Sequence, residues 1–282
     1  MSYKDILVHL DPSPRSAVRL TIAADLAKKS GATLVGLHCY ELPGAEIFVG
    51  DPPMYFDARQ VAEMLDRMRA DKDAQCAKLR TAFEAETTAR GIKSEWRQVE
   101  GPTADVLSLH GRYADLLVVG QPAPDGPDAG VIDPALLMGS GRPLLVIPYA
   151  GNFATIGQTI LIGWNATPEA AGAVADAMPL LHHAKKIIVV AINPRNGITA
   201  DGDKSADDLA RHLARHNIQA EARYLPADDI SEGDALLSFI SDTSADLLVC
   251  GMYGHSRLRE MAFGGATRSL LTSMTVPCLL AH

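Results

Sequence analysis

The sequence is poor in several things that would point to particular functions. Aromatic residues make up 5% of 282, with two tryptophans. Basic residues are outnumbered, 26 Lys and Arg against 34 Asp and Glu for a net charge of −8, and they are scattered. A phosphodiester backbone or an anionic membrane surface is therefore not the expected partner. Four cysteines, Cys39, Cys76, Cys250 and Cys278, lie far apart. Neither a disulfide framework nor a cysteine metal site is expected, and three of the four read as small buried hydrophobes. No long apolar run occurs. The first residues, MSYKDILVHLDPSPRS, turn charged and proline-containing after one short apolar stretch, so they read as neither a secretory signal nor a membrane span, and a cytoplasmic location is expected.

What is present is internal repetition. KDILVHLDPSPRSA (4–17) lies over QTILIGWNATPEAA (158–171) at an offset of 154 residues. Each is an apolar run ending in a short polar residue, Asp11 or Asn165, followed by a small-residue turn with proline that opens a helix. ADLLVVG (114–120) repeats as ADLLVCG (245–251), and GRPLLVIPY (141–149) as TVPCLLAH (275–282). Three matched segments in the same order predict a duplicated chain, with domains at 1–150 and 156–282 and a boundary in YAGNFATIG (149–157).

DILVHL, ATLVGLHC, DLLVVG and LLVIP, then TILIGW, IIVVAI, DLLVCG and CLLA, are short, continuously apolar and rich in Val, Ile and Leu. Such runs fit strands covered on both faces of a parallel sheet. Helical patterns lie between them. The longest, near 58–90, sets Val61, Met64, Met68, Cys76, Leu79 and Phe83 roughly on one face. The fold class read from this is α/β, two tandem Rossmann-like domains, each a five-stranded parallel sheet with helices on both faces. Ligands of such sheets bind at the C-terminal strand ends where strand order reverses. In the second copy those ends are Gly163, Trp164 and Asn165, then Ala191 to Asn193, then Gly251 onward.

GMYGHSRLREMAFGGATRSLL (251–271) is the stretch with the most chemistry. Gly251 and Gly254 bracket a turn after the strand, and Gly264, Gly265, Ala266 and Thr267 open the helical pattern TRSLLTSM. A strand, a glycine turn and a helix start with unpaired N–H groups suit a phosphate, and Thr267 adds a hydroxyl. Arg257, Arg259, Arg268 and His255 lie within or beside it. The equivalent stretch of the first copy, GQPAPDGPDAGVID, has Ala123 and Asp133 at the second and third glycine positions. Its prolines remove backbone donors and its aspartates would repel a phosphate, so that half is expected to bind no nucleotide in this way. Asp11 survives there, with capping of the following helix as its expected work. An insertion, ELPGAEIFVGDPPMYFD (41–57), is expected to pack on its own domain.

The pattern Gly-x2-Gly-x9-Gly after a strand and before ValPro and a last strand resembles the universal stress protein family in its tandem two-domain form. ILVHLD and ILIGWN resemble that family's first strand, ADLLV its fourth, and RPLLVIP and VPCLLA its fifth. The resemblance implies an adenine nucleotide alpha hydrolase-like fold in stress-response proteins that pair two domains through their last strands, and ATP or another adenine nucleotide as ligand, with Mg²⁺ carried on the phosphates. Carried over by position, Gly251, Gly254, Gly264 and Gly265 would wrap ribose and phosphates. Asn165 stands where the family commonly has an aspartate facing base and ribose, Ile192 would flank the adenine, and Gly163 would line its pocket. Gly265 stands where a hydroxyl or amide residue is usual.

Candidates for catalysis are weak. His182 and His183 are adjacent and would point apart on a helix. His212 and His216 share a face, without acidic residues in a metal-binding pattern. No GxSxG nucleophile elbow occurs. Three readings stay open: a nucleotide-binding sensor or regulator; a tandem scaffold acting through protein–protein contacts, its halves a pseudo-dimer and its chains able to pair as a homodimer; and a slow ATPase.

Overall fold

The computed structural model describes residues 2–41, 58–123, 134–193, 204–227, 230–252 and 270–282. In the first half β1 (Asp5–His9), β2 (Thr33–Tyr40), β3 (Ser94–Glu100), β4 (Leu116–Gly120) and β5 (Leu144–Ile147) alternate with α1 (Arg15–Ser30), α2 (Ala58–Arg90), α3 (Thr103–Gly111) and α4 (Pro134–Ser140). In the second half β6 (Thr159–Gly163), β7 (Lys186–Ile192), β8 (Glu221–Leu225), β9 (Leu247–Gly251) and β10 (Cys278–Ala281) go with α5 (Pro168–Leu181), α6 (Ser205–Arg215) and α7 (Glu232–Thr243).

Among the described residues ten strands join in one sheet, ordered β3-β2-β1-β4-β5-β10-β9-β6-β7-β8. Read outward from the centre, both halves have the same strand order. Every pairing is parallel except the central one, where β5 and β10 run antiparallel with Leu279 opposite Leu145. The interior strands bury nearly every residue: Ile6, Val8, Ile160 and Val249 face one layer, Leu7, Leu161 and Leu248 the other. Alternation across the pleat divides each continuous apolar run between two cores. The same aspartate ties the sheet in each half. Asp115 accepts the N–H groups of Lys4 and Asp5, and Asp246 those of Gln158 and Thr159; this is what the repeated Ala-Asp-Leu-Leu-Val does.

The helices start and stop where local chemistry dictates. Thr167 caps α5 by accepting the Ala170 N–H, with Pro168 at the first helical position, and Ser231 caps α7 through the Asp234 N–H. Helix α1 ends on Gly31 in the left-handed region, φ 66°. Its beginning departs from expectation. Pro14 occupies the N-cap without a side-chain bond, and Asp11 instead accepts the Ser13 N–H at 2.8 Å in the preceding turn. The expected apolar face of α2 is buried only from Cys76 onward: Cys76 and Phe83 are enclosed, Met68 and Leu79 are half-buried, and Met64 is exposed. Phe83 packs against Trp96 and the bare α-carbon of Gly36, where a Cβ would lie 2.8 Å from its ring. The side chain of Val61 and residues 42–57 of the insertion lie outside the described residues.

Candidate functional site

The two strand-end regions, one per half, are built differently. In the second half β6, flanked by β7 on one side and β9 on the other, forms the point where strand order reverses. A cleft of about 160 Å³ opens at these C-terminal ends, lined by Gly163, Trp164, Asn165, Val190, Ile192, Glu232, Gly233, Leu236, Cys250, Gly251, Met252 and Leu270. Five of the residues singled out in the sequence thus come together: Gly163, Trp164, Asn165, Ile192 and Gly251. The others, Gly254, Gly264, Gly265, Ala266 and Thr267, lie outside the described residues, as do His255, Arg257, Arg259 and Arg268. Sites for whole small molecules run from about 300 to 1,000 Å³. The described walls therefore suit a fragment the size of a ring, not a complete nucleotide.

Each wall has an identifiable cause. The Trp164 N–H bonds to Val190 O at 2.8 Å, extending the β6–β7 ladder past the strand end; its indole N–H is buried and finds no acceptor among the described residues. Asn165 is exposed, and its carbonyl oxygen accepts both the Thr167 N–H at 3.3 Å and the Thr167 hydroxyl at 2.9 Å. The Asn165 oxygen is thereby committed to the turn that caps α5. Beyond Ile192, Asn193 has φ 45° and exchanges two side-chain bonds with the backbone of Ala227, joining the ends of β7 and β8. Burial pushes the Cys250 thiol up to about 12, leaving it a small apolar wall residue.

The two glycines of the cleft have different reasons. A Cβ on Gly163 would meet Cys250 and Leu236 at ordinary contact, 3.5 Å, so this glycine keeps the cleft open. One on Gly251 would lie 2.3 Å from Ala170 N and 2.4 Å from Glu169 C. Gly251 lets the first turn of α5 rest on the sheet, a packing duty independent of any ligand. Sequence reading missed Val190, Glu232, Gly233, Leu236, Met252 and Leu270. Glu232, Gly233 and Leu236 belong to α7, whose place over the strand ends follows only from the tertiary crossover.

In the first half the strand end is built differently: His9, at the position of Gly163, is buried. Arg19 of α1, 3% exposed, pairs with the Asp11 carboxylate and donates from Nε to His9 O at 3.1 Å. The α-carbon of Gly120 lies against it: a Cβ there would come within 2.3 Å of an Arg19 guanidinium nitrogen. Burial tends to raise the Asp11 carboxyl, but the Arg19 charge and the Ser13 bond outweigh it and hold the group below its usual range. His9 and His38 are also buried. Burial, helped by Arg19, pushes His9 down to about 4. Burial likewise lowers His38, whose Nδ1 lies 2.8 Å from Leu10 O.

Among the described residues no group of three or more His, Cys, Asp or Glu is placed to hold a metal, and no helix is long and apolar enough to cross a membrane. The His212 and His216 rings meet edge to face at 4.9 Å on the exposed side of α6. With His182, they line a groove formed against α5 and the N-terminal residues.

A parallel sheet wound in the order β3-β2-β1-β4-β5, with helices on both faces and a cleft at the strand ends of its second half, defines the Rossmann-like α/β class. Residues 2–132 match the model of the universal stress protein family, so the first half of the chain is a domain of that family. Among solved structures, a universal stress protein from Archaeoglobus fulgidus DSM 4304 is similar over 98% of this chain and 97% of its own, at 14% identity and a TM-score of 0.70. A putative universal stress protein from Pseudomonas aeruginosa UCBPP-PA14 is similar over 99% and 93%, at 15% identity and 0.56. Both are likenesses of fold. A universal stress protein solved in complex with cAMP covers 52% of this chain and 97% of its own, at 23% identity and a TM-score of 0.35, too loose a likeness to bring its ligand here. No curated protein matches the chain.

Proposed function

We propose that the second half binds an adenine nucleotide and that the protein acts in the cytoplasm as a nucleotide-responsive sensor or regulator, not as a fast catalyst. The observation that carries this reading is the convergence of Gly163, Trp164, Asn165, Ile192 and Gly251 on one cleft at the strand-order reversal. Val190, Ile192, Leu236, Met252 and Leu270 offer apolar contact to a planar base, and the cleft volume fits the base alone. The ribose and phosphates would then extend toward the segment that supplies Gly254, Gly264, Gly265, Ala266 and Thr267, where backbone N–H groups would take the phosphates and any Mg²⁺ would be carried on them. The first half would bind none, because buried His9 stands at the position of Gly163 and the stretch matching the glycine segment carries prolines and aspartates.

The test is direct. Protein purified without added ligand is denatured and any released nucleotide identified by mass; Mg-ATP, ADP and AMP are then each added in a thermal-shift titration. One nucleotide per chain, lost in Gly163→Val, which fills the cleft without touching the α5 contact, is expected. Absence of both released nucleotide and thermal shift refutes the proposal, and two nucleotides per chain refutes its account of the first half. A second reading, a scaffold working through protein–protein contacts alone, draws on Gly251, whose glycine character is already required by α5 packing.

A further inference from the structure

Gln121 belongs to the first half, yet its side chain is bonded into the second. It follows β4 directly and is 6% exposed. Its own N–H bonds to Ile147 O at 2.7 Å, and its side-chain oxygen accepts the Tyr149 N–H at 3.1 Å, both at the end of β5. The side-chain nitrogen donates to Leu271 O at 2.8 Å and Thr272 O at 3.2 Å, 150 and 151 residues away. Those carbonyls belong to the helical turn at 270–273. The last carbonyls of a helix have no partners of their own within it, so the cap comes from the other half of the chain. The turn also carries Leu270, a wall of the second-half cleft. The residue at the matching position of the second half is Met252. Its N–H repeats the backbone bond, to Ala281 O at 2.9 Å, but its side chain has no amide to give.

We propose that Gln121 is a positioning residue for the second-half cleft, fixing the turn that carries Leu270 and so coupling occupancy of the cleft to the end of β5 in the first half. The inference rests on the cleft being a nucleotide site. An amide is the side chain that serves both ends at once, donating to two carbonyls while accepting one N–H. Glutamate at this position would keep the acceptor for Tyr149 but set a carboxylate against Leu271 O and Thr272 O; methionine would fill similar space with no polar bond.

The experiment uses the full chain and Mg-ATP as probe. Affinity is measured by calorimetry for wild type, Gln121→Glu, Gln121→Met and Tyr3→Phe, below the unfolding temperature of each. Tyr3→Phe removes another bond between the halves, Tyr3 Oη to Asp176 O at 2.8 Å, between residues that are not walls of the cleft, and controls for simple loosening. Hydrogen exchange is followed at 147–149 and 270–273. Both Gln121 variants should bind ATP at least about fivefold more weakly, with Tyr3→Phe unchanged. ATP should slow exchange at 147–149 in wild type but not in the Gln121 variants. Wild-type binding with unaltered affinity in both Gln121 variants, equal weakening in Tyr3→Phe, or no ATP effect at 147–149 overturns the role of Gln121 alone. Failure of wild type to bind ATP overturns the cleft reading and this one together.

Discussion

Replacing Arg19 with methionine tests whether a buried charge pair ties α1 to the strand ends of the first half. The change removes the bond to Asp11 and the 3.1 Å bond to His9 O, leaving a carboxylate whose remaining partner is the Ser13 N–H. Breaking a buried pair by removing one member costs about 3–5 kcal/mol. The Asp11 side chain keeps 17% exposure, so water relieves part of that and the lower end, about 3 kcal/mol, is expected. At this chain size the corresponding fall in Tm is about 6–12 °C. Two companions make the reasoning specific. Asp11→Asn in the Arg19→Met background removes the stranded charge while keeping an acceptor for Ser13, and should recover at least about 1 kcal/mol. Gly120→Ala should destabilise the wild type because its Cβ would displace the guanidinium, yet be nearly silent once Arg19 is methionine. Urea denaturation of wild type and the four variants measures each term. A cost below about 1 kcal/mol for Arg19→Met, or equal effects of Gly120→Ala in both backgrounds, would refute the account.

Three further outcomes follow from the same structure. Gly251→Ala should destabilise by more than about 3 kcal/mol, because backbone of α5 stands in the way, whereas Gly163→Ala should cost less than about 1 kcal/mol; similar denaturation midpoints for the two would contradict the distinction. Burial depresses His9 to about 4, so between the unfolded value near 6.5 and about 4 the unfolded chain binds the extra proton. Stability present above about pH 6.5 should fall as pH drops through that window, by up to about 3 kcal/mol, and a His9→Gln variant should show a flatter profile by denaturation at stepped pH. Cys39 and Cys250, both pushed up to about 12 by burial, and the fully enclosed Cys278 should react with a thiol reagent only at the rate of unfolding; fast labelling of any of them in native buffer would be inconsistent with their packing.

The interior strands could be read from the sequence because each is buried on both faces and so runs apolar without interruption. Strands β3, Ser-Glu-Trp-Arg-Gln-Val-Glu, and β8, Glu-Ala-Arg-Tyr-Leu, offered no such run: they border solvent and alternate polar with half-buried residues. The cleft was legible where glycine and a short polar residue end a strand, at Gly163, Asn165 and Gly251. It was not legible at Leu236 or Leu270, which are apolar residues of helical segments that only the tertiary crossover brings over the strand ends. Two roles follow only from the fold. Gly251 reads in sequence as the start of a phosphate loop, but the backbone of α5 already requires it. Asp11 reads as a helix cap, but answers a buried arginine eight residues on, and no periodicity distinguishes Arg19 from a solvated helix cation.

The borders of the sheet have a consequence for assembly. Both outermost strands repeat Glu-x-Arg, with Glu95 bonded to Arg97 at 2.8 Å and Glu221 to Arg223 at 2.9 Å, and charges along an edge discourage another strand from docking. The two apolar margins, β5 and β10, are spent on each other. Among the described strands the ribbon is therefore terminated at both ends and sealed in the middle. A second chain cannot lengthen it without burying those ion pairs, so association of chains through helices leaves the ten-stranded sheet as it is, and fibre-like growth by strand addition is opposed at either margin.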